Sequence, residues 1–204
     1  MLTLCIDTAY KYLTCALIKN DEVLASFSNE CFKRQSEEVF AALDEVFKKA
    51  NVERKDLDSI CVAEGPGSYT GVRIGMTIAK TIGELFKIDV YTISTLRLYA
   101  SNLENTMVLM DARANRAYVG IYDKENILLE DCAIELDKID PKDYNVVGDG
   151  SLIGKQDVYV DIPKAFLETK NVWKKVDVIA YLVPKYLKES DSYYRWLKKW
   201  NYRI

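Results

Sequence analysis

Asp7-Thr8 closes the first apolar run and sets a carboxylate beside a hydroxyl, a pair that could hold a magnesium-bound phosphate. A turn-stabilising aspartate is the alternative. A second candidate is Gly65-Pro66-Gly67-Ser68, between a strand-like run and a helix-like one, where backbone N–H groups and the positive end of a helix dipole favour an anion. No Lys-Ser/Thr follows those glycines at Walker A spacing, so a tight turn competes with the phosphate reading. Near the C-terminus, Lys185, Lys188, Arg195, Lys198, Lys199 and Arg203 interleave with Tyr186, Tyr193, Tyr194, Trp196, Trp200 and Tyr202. Such a mixture could stack on and neutralise RNA, or could simply pack.

Other chemistry is excluded by composition. The chain has no histidine, which removes Ser-His and Cys-His nucleophile pairs and every His-ligated metal site. Cys5, Cys15, Cys31, Cys61 and Cys132 show no CxxC spacing and are expected to be reduced and structural. A net charge of −3 over 204 residues gives no global attraction to nucleic acid. Apolar runs fall far short of the ~20 residues that cross a bilayer, and no basic segment precedes the first of them, so a cytoplasmic location is expected.

The elements that must position these residues follow from periodicity. Leu2 to Ile6, Tyr12 to Lys19 and Glu22 to Ser28 read as a three-strand meander. A helix is expected over Glu37 to Ala50, with Ser36 as N-cap and Val39, Phe40, Leu43, Val46, Phe47 and Ala50 as its apolar stripe. Ile60 to Ala63 reads as a buried strand and about Tyr69 to Phe86 as a second helix. A strand at Val90 to Ile93 and a helix from Ser94 or Thr95 to about Leu103 follow. Polar Ser101-Asn102 and Glu104-Asn105-Thr106 suggest a boundary between a domain of residues 1–103 and a smaller one of 104–204. Beyond it come strands at Met107 to Met110, Ala117 to Tyr122, Ile127 to Ala133 and Asn145 to Val147, and a helix-like run over Val176 to Leu187 that Pro184 should kink.

In the second helix, Gly71, Gly75, Ala79 and Gly83 share one face, while Ile74, Ile78, Ile82 and Leu85 form a core stripe on a neighbouring one. Each interior glycine costs about 1 kcal/mol against alanine, so close packing must compensate. The small face meets either another part of the chain or a partner protein.

Taken in order, these motifs resemble the TsaB (YeaZ) family, relatives of the tRNA threonylcarbamoyladenosine enzyme TsaD. The residues that carry the resemblance are Ile6-Asp7-Thr8-Ala9, Gln35-Ser36-Glu37, the Val62 to Gly75 signature, Ile93-Ser94-Thr95-Leu96 and Met110-Asp111-Ala112-Arg113 with Ala117-Tyr118. Val147-Gly148-Asp149-Gly150 and Pro184-Lys185-Tyr186-Leu187-Lys188 complete the set.

The resemblance implies an α/β actin-like ATPase/sugar kinase (ribonuclease H-like) fold with two βββαβα-type domains, the second reduced. It further implies a homodimer and a heterodimer with TsaD through the first two helices. With TsaE, such proteins support threonylcarbamoyl transfer to adenosine 37 of tRNA. On that basis Ser36, Val39, Phe40, Leu43, Phe47, Gly71, Val72, Gly75, Met76, Ala79 and Gly83 are expected at a partner surface. Bulky residues at Gly75 or Ala79 should then abolish TsaD binding and leave the monomer folded. Asp7, Thr8, Gly65, Pro66, Gly67 and Ser68 are the residues that nucleotide would touch. No catalytic residue, metal or cofactor of its own is expected; ATP with magnesium would enter through these residues or through the complex, and tRNA through the complex. Where many relatives have histidine before the Ser-Glu of the first helix, this chain has Arg34-Gln35, which makes independent catalysis, including peptidase activity, hard to support. The rival is a stand-alone ATP-dependent enzyme built on Asp7, Thr8 and the glycine loop.

Overall fold

The computed structural model describes residues 1–31 and 34–187. The part of the basic aromatic tail from Lys188 onward lies outside them.

Strands β1 (Leu2–Asp7), β2 (Tyr12–Lys19) and β3 (Glu22–Glu30) form the expected meander, because alternate side chains of β1 and β2 are apolar on both faces and turns at residues 8–11 and 20–21 are polar. Helix α1 (Gln35–Ala50) then leads to β4 (Ser59–Ala63), α2 (Tyr69–Phe86), β5 (Asp89–Ile93) and α3 (Thr95–Ala100). β4 pairs parallel to β1, and β5 parallel to β4. The two-residue β10 (Lys174–Lys175) adds antiparallel to β5, giving the order β10-β5-β4-β1-β2-β3.

A second sheet, ordered β8-β7-β6-β9, comprises β6 (Thr106–Asp111), β7 (Arg116–Asp123), β8 (Asn126–Glu135) and β9 (Asn145–Gly148). The β7–β8 hairpin turns at Lys124-Glu125, with Lys124 at a φ of 51°. This sheet repeats the meander-plus-parallel-strand plan of the first in reduced form. Residues 103/104 lie between β5 and β6, but β10 from beyond that point joins the first sheet, and the core crosses it. α3 packs on β6 and β7, and helix α4 (Ile162–Glu168) returns to β2 and β3. Tyr99, Tyr122 and Phe166 are fully buried in one continuous cluster with Leu4, Ile6 and Leu17.

Three local expectations are corrected. Ser36 is not the N-cap of α1: the helix begins at Gln35 with Arg34 in the cap position and no side-chain cap. The buried Gln35 amide donates to the Tyr10 carbonyl at 2.8 Å, which draws the first turn one residue earlier and leaves Ser36 exposed. α3 stops at Ala100 because Ser101 takes a left-handed φ of 52°. Residues 176–187 form no long helix; only Ile179–Tyr181 make a single 3₁₀ turn. That segment runs as a strap along α2, held by side chains remote in sequence, and Pro184 denies it a helical ladder.

Candidate functional site

Thr8 sits where β1 meets the start of α2. Its hydroxyl donates to the Gly71 carbonyl at 2.6 Å and accepts from the Gly75 N–H at 3.0 Å, standing inside the helix where those two groups would otherwise bond each other. The chain can come this close only because both positions are glycine. A Cβ at Gly75 would lie 2.8 Å from Thr8 Oγ1 and 3.2 Å from Val62, and one at Gly71 would collide with the Thr8 carbonyl. The small face of α2 is therefore consumed within the chain. Ala79 is fully buried, and Gly83 packs on Val90 of β5 and Ile179 of the strap.

The phosphate reading of the Gly65–Ser68 loop fares no better. Gly67 is pressed against the Ala9 carbonyl, Ser68 N–H donates to that same carbonyl at 2.7 Å, and the Ser68 hydroxyl caps α2 by accepting from Gly71 N–H at 3.2 Å. Gly65 and the cis-linked Pro66 lie beneath the strap, where Lys185 N–H donates to the Glu64 carbonyl. Asp7 is fully buried; its Oδ1 accepts from Ala9 N–H at 2.8 Å, while Oδ2 and the facing Tyr99 hydroxyl reach no partner at hydrogen-bond geometry. Burial pushes the Asp7 carboxyl up to about 6, against the pull of the Ala9 N–H and the Tyr99 hydroxyl. A magnesium nucleotide does not fit this set: its carboxylate is sealed, its hydroxyl is used in both directions, and its loop is covered.

A centre that sequence reasoning missed joins the two sheets. Asp149, in the Gly148-Asp149-Gly150 turn, is buried and accepts from Lys11 Nζ at 2.6 Å, Asp111 N–H at 2.9 Å, and the hydroxyls of Tyr10 and Tyr159. Burial alone would raise its pKa, but bonds from Lys11, Tyr10, Tyr159 and the Asp111 backbone outweigh it and hold the carboxyl below its ordinary value. The polar groups between the two halves are thus spent on each other. Arg113 closes a local turn onto Asp111, with Nη1 to Oδ2 at 3.1 Å. Only the Gly-Asp-Gly motif hinted at this hub; Tyr10, Lys11 and Tyr159 carried no signal.

The strap has its own anchor. Asp131 on β8 accepts from Ser94 at 2.5 Å, from Lys185 Nζ at 2.8 Å and from the Tyr122 hydroxyl. Lys80 reaches the Ala180 carbonyl at 3.1 Å, and Arg73 Nε donates to the Tyr186 hydroxyl at 2.7 Å. The five cysteines are free thiols, and burial pushes Cys15 up to about 12, so it behaves as an inert core residue. Among the described residues no group of His, Cys, Asp and Glu side chains could hold a metal ion.

Of the residues expected at a partner surface, only Ser36 and Phe40 are exposed. Val39, Leu43, Phe47, Gly71, Val72, Gly75, Met76, Ala79 and Gly83 are buried in this chain. The two stripes of α2 exchange roles: the small face enters the core, while the isoleucine stripe runs along its rim. Ile78 is buried, Ile74 and Ile82 are half-buried, and Leu85 is 69% exposed. Helical spacing sets that stripe on the flank of α2 opposite the strap. On α1, which contacts α2, Phe40 is 65% exposed. The two helices thereby present Phe40 and Leu85 to solvent, with Ile74 and Ile82 half-buried at the rim of the core, and no other described element covers them.

Comparison with known proteins places this geometry. The family model described as TsaD: tRNA N6-adenosine threonylcarbamoyltransferase matches residues 29–184. The tRNA threonylcarbamoyladenosine biosynthesis protein TsaB of Bacillus subtilis (strain 168) is 37% identical over 134 residues, 64% of this chain and 58% of that protein. The chain thus spans little more than half the length of that relative. The TsaB of Buchnera aphidicola subsp. Schizaphis graminum is 29% identical over 164 residues, covering 72% of this chain and 78% of its own. The solved structure of YeaZ from Pseudomonas aeruginosa superposes with a TM-score of 0.74 at 18% identity, over 91% of this chain and 99% of that one, which shows that the two share a fold. No described helix is long and apolar enough to cross a membrane. The chain belongs to the threonylcarbamoyltransferase-type TsaD family, on its TsaB (YeaZ) branch.

Proposed function

We propose that this chain is a non-catalytic subunit in tRNA N6-threonylcarbamoyladenosine synthesis, and that it docks on a TsaD-type catalytic partner through the outward faces of α1 and α2. The observation that carries this reading is the exposure of Phe40 on α1 and Leu85 on α2, with the half-buried Ile74 and Ile82 at the rim beside Leu85. Exposed large apolar side chains gathered on two adjacent helices mark interaction sites, and an aromatic anchor at such a centre dominates binding. The family's TsaB relatives carry threonylcarbamoyladenosine biosynthesis in their names, which supplies the pathway. Support for a non-catalytic role is chemical: the chain has no histidine, and its buried carboxylates Asp7, Asp131 and Asp149 are sealed or tied to internal donors.

A pull-down from the native cell tests this. The tagged wild-type chain should bring down TsaD, and the Phe40→Asp/Leu85→Asp variant, altered at two exposed side chains, should not, although it melts normally. Equal recovery of TsaD by both proteins would reject this docking surface. Failure of the wild type to recover TsaD would reject the subunit role itself.

A further inference from the structure

β3 is the outer strand of the first sheet and pairs with β2 on one side only. Alternate N–H and C=O groups of an edge strand point away from its neighbour. Among the described residues, no backbone group outside β2 bonds those of residues 22–30. Edges in this state are commonly guarded by proline or lysine; β3 carries neither, and its stretch from Ser26 to Asn29 is uncharged.

A groove of about 600 Å³ runs along that stretch and touches Ser26, Phe27, Ser28 and Asn29 in succession. Successive side chains leave a strand on opposite faces, so a cavity that meets all four passes the edge of β3 instead of lying over one face. The register agrees. Ser28 is opposite Thr14, whose hydroxyl it meets at 2.8 Å, and shares a face with Tyr12, whose ring lies 5.4 Å from that of Tyr159; Phe27 and Asn29 lie on the other face. Glu45 and Lys49 of α1 form one wall, and residues 159–163 at the start of α4 form the other. Both helices pack on β3.

The geometry points to a docking groove for an extended peptide that carries a lysine or arginine and adds to β3 as a further strand. The recess decides between occupants. A lone strand fits between the two walls, whereas a second copy of the chain would bring a β3 flanked by its own α1 and α4, and the helices would meet before the edges did. Charge sets the chemistry of the peptide: the groove's described charges are Glu45 and Asp161 against one cation, Lys49, which is already paired with Glu45 at 2.6 Å. Phe27, Tyr12 and Pro163 offer apolar contact to its alternate side chains. Glu45 and Lys49 lie about 140° and 180° around α1 from Phe40, so the groove is separate from the proposed docking face.

The test pans a phage-displayed library of random heptapeptides against the immobilised full chain. Sequences with alternating apolar residues and a lysine or arginine should be enriched, and a synthetic copy of one should slow hydrogen exchange of amides within residues 26–29. Of two N-methylated copies, blocked on odd or on even peptide nitrogens, one should lose at least about tenfold in affinity and the other retain it. Glu45→Lys, at an exposed position, should weaken binding roughly tenfold. Failure to enrich any sequence over protein-free beads would overturn the inference, as would undiminished binding of both methylated copies or protection confined to residues around Phe40 and Leu85. A dimer of the chain that Asn29→Lys dissolves, with no peptide enriched, would overturn it by assigning the edge to a second copy.

Discussion

At the scale of single residues, a threonine hydroxyl and a buried aspartate govern how the first strand meets α2. Thr8 bonds Gly71 O and Gly75 N–H inside α2, and Thr8→Val removes both bonds from a buried site, at a cost of roughly 1 kcal/mol because the two helix groups can still pair with each other. Thermal melts should show the loss. Asp7 works in the opposite sense. Its carboxyl titrates at about 6 in the folded chain against an ordinary value of 3.8, so the native state holds the proton more tightly than the unfolded one. Its contribution to stability is complete below about pH 4 and is lost as pH rises toward 6. Asp7→Asn keeps the acceptor for Ala9 N–H, removes the buried charge and offers a donor to Tyr99. It should stabilise the protein at pH 7 by about 1–3 kcal/mol and flatten the dependence of melting temperature on pH between 4 and 6. A variant less stable than wild type at pH 7 would show that the charged form is required.

At the scale of elements, α2 shows what could and could not be read beforehand. Its limits were legible because a turn precedes Tyr69 and apolar periodicity runs unbroken to Phe86. Its small stripe was legible as a close-packing face. The object it packs against was not, because Thr8 is more than sixty residues away and only the fold brings it inside the helix. The strap was misread for a related reason: Val176 to Leu187 has helix-like periodicity, but its course is set by Asp131, Lys80 and Arg73. The correction alters what mutations should do. Gly75→Leu drives a side chain into Thr8 and Val62, so it should unfold the chain or cost more than about 3 kcal/mol, contrary to the expectation of a folded monomer that simply loses its partner. Circular dichroism separates this outcome from that of Leu85→Asp, at an exposed position, which should retain native helicity.

At the scale of the whole molecule, two buried carboxylates tie the sheets together. Asp149 links the β1–β2 turn to β6 and Tyr159, and Asp131 ties β8 to α3 and the strap. The two-sheet plan itself was visible in the strand runs and in the motifs shared with TsaB, but these links were not, since each joins residues that carry no common pattern. Lys185→Ala leaves Asp131 buried without its cation and should cost about 3 kcal/mol or more. Limited proteolysis should then cut within residues 176–187 before the rest of the chain. With the polar groups around Asp149 committed to internal bonds and the glycine loop covered, the outward faces of α1 and α2 remain the surface on which the proposed role depends. Calorimetric titration of purified TsaD with the wild-type chain and with Phe40→Asp tests that dependence most directly. Wild type should bind, and Phe40→Asp, folded by circular dichroism, should bind at least about 100-fold more weakly; equal affinities for the two would contradict the account.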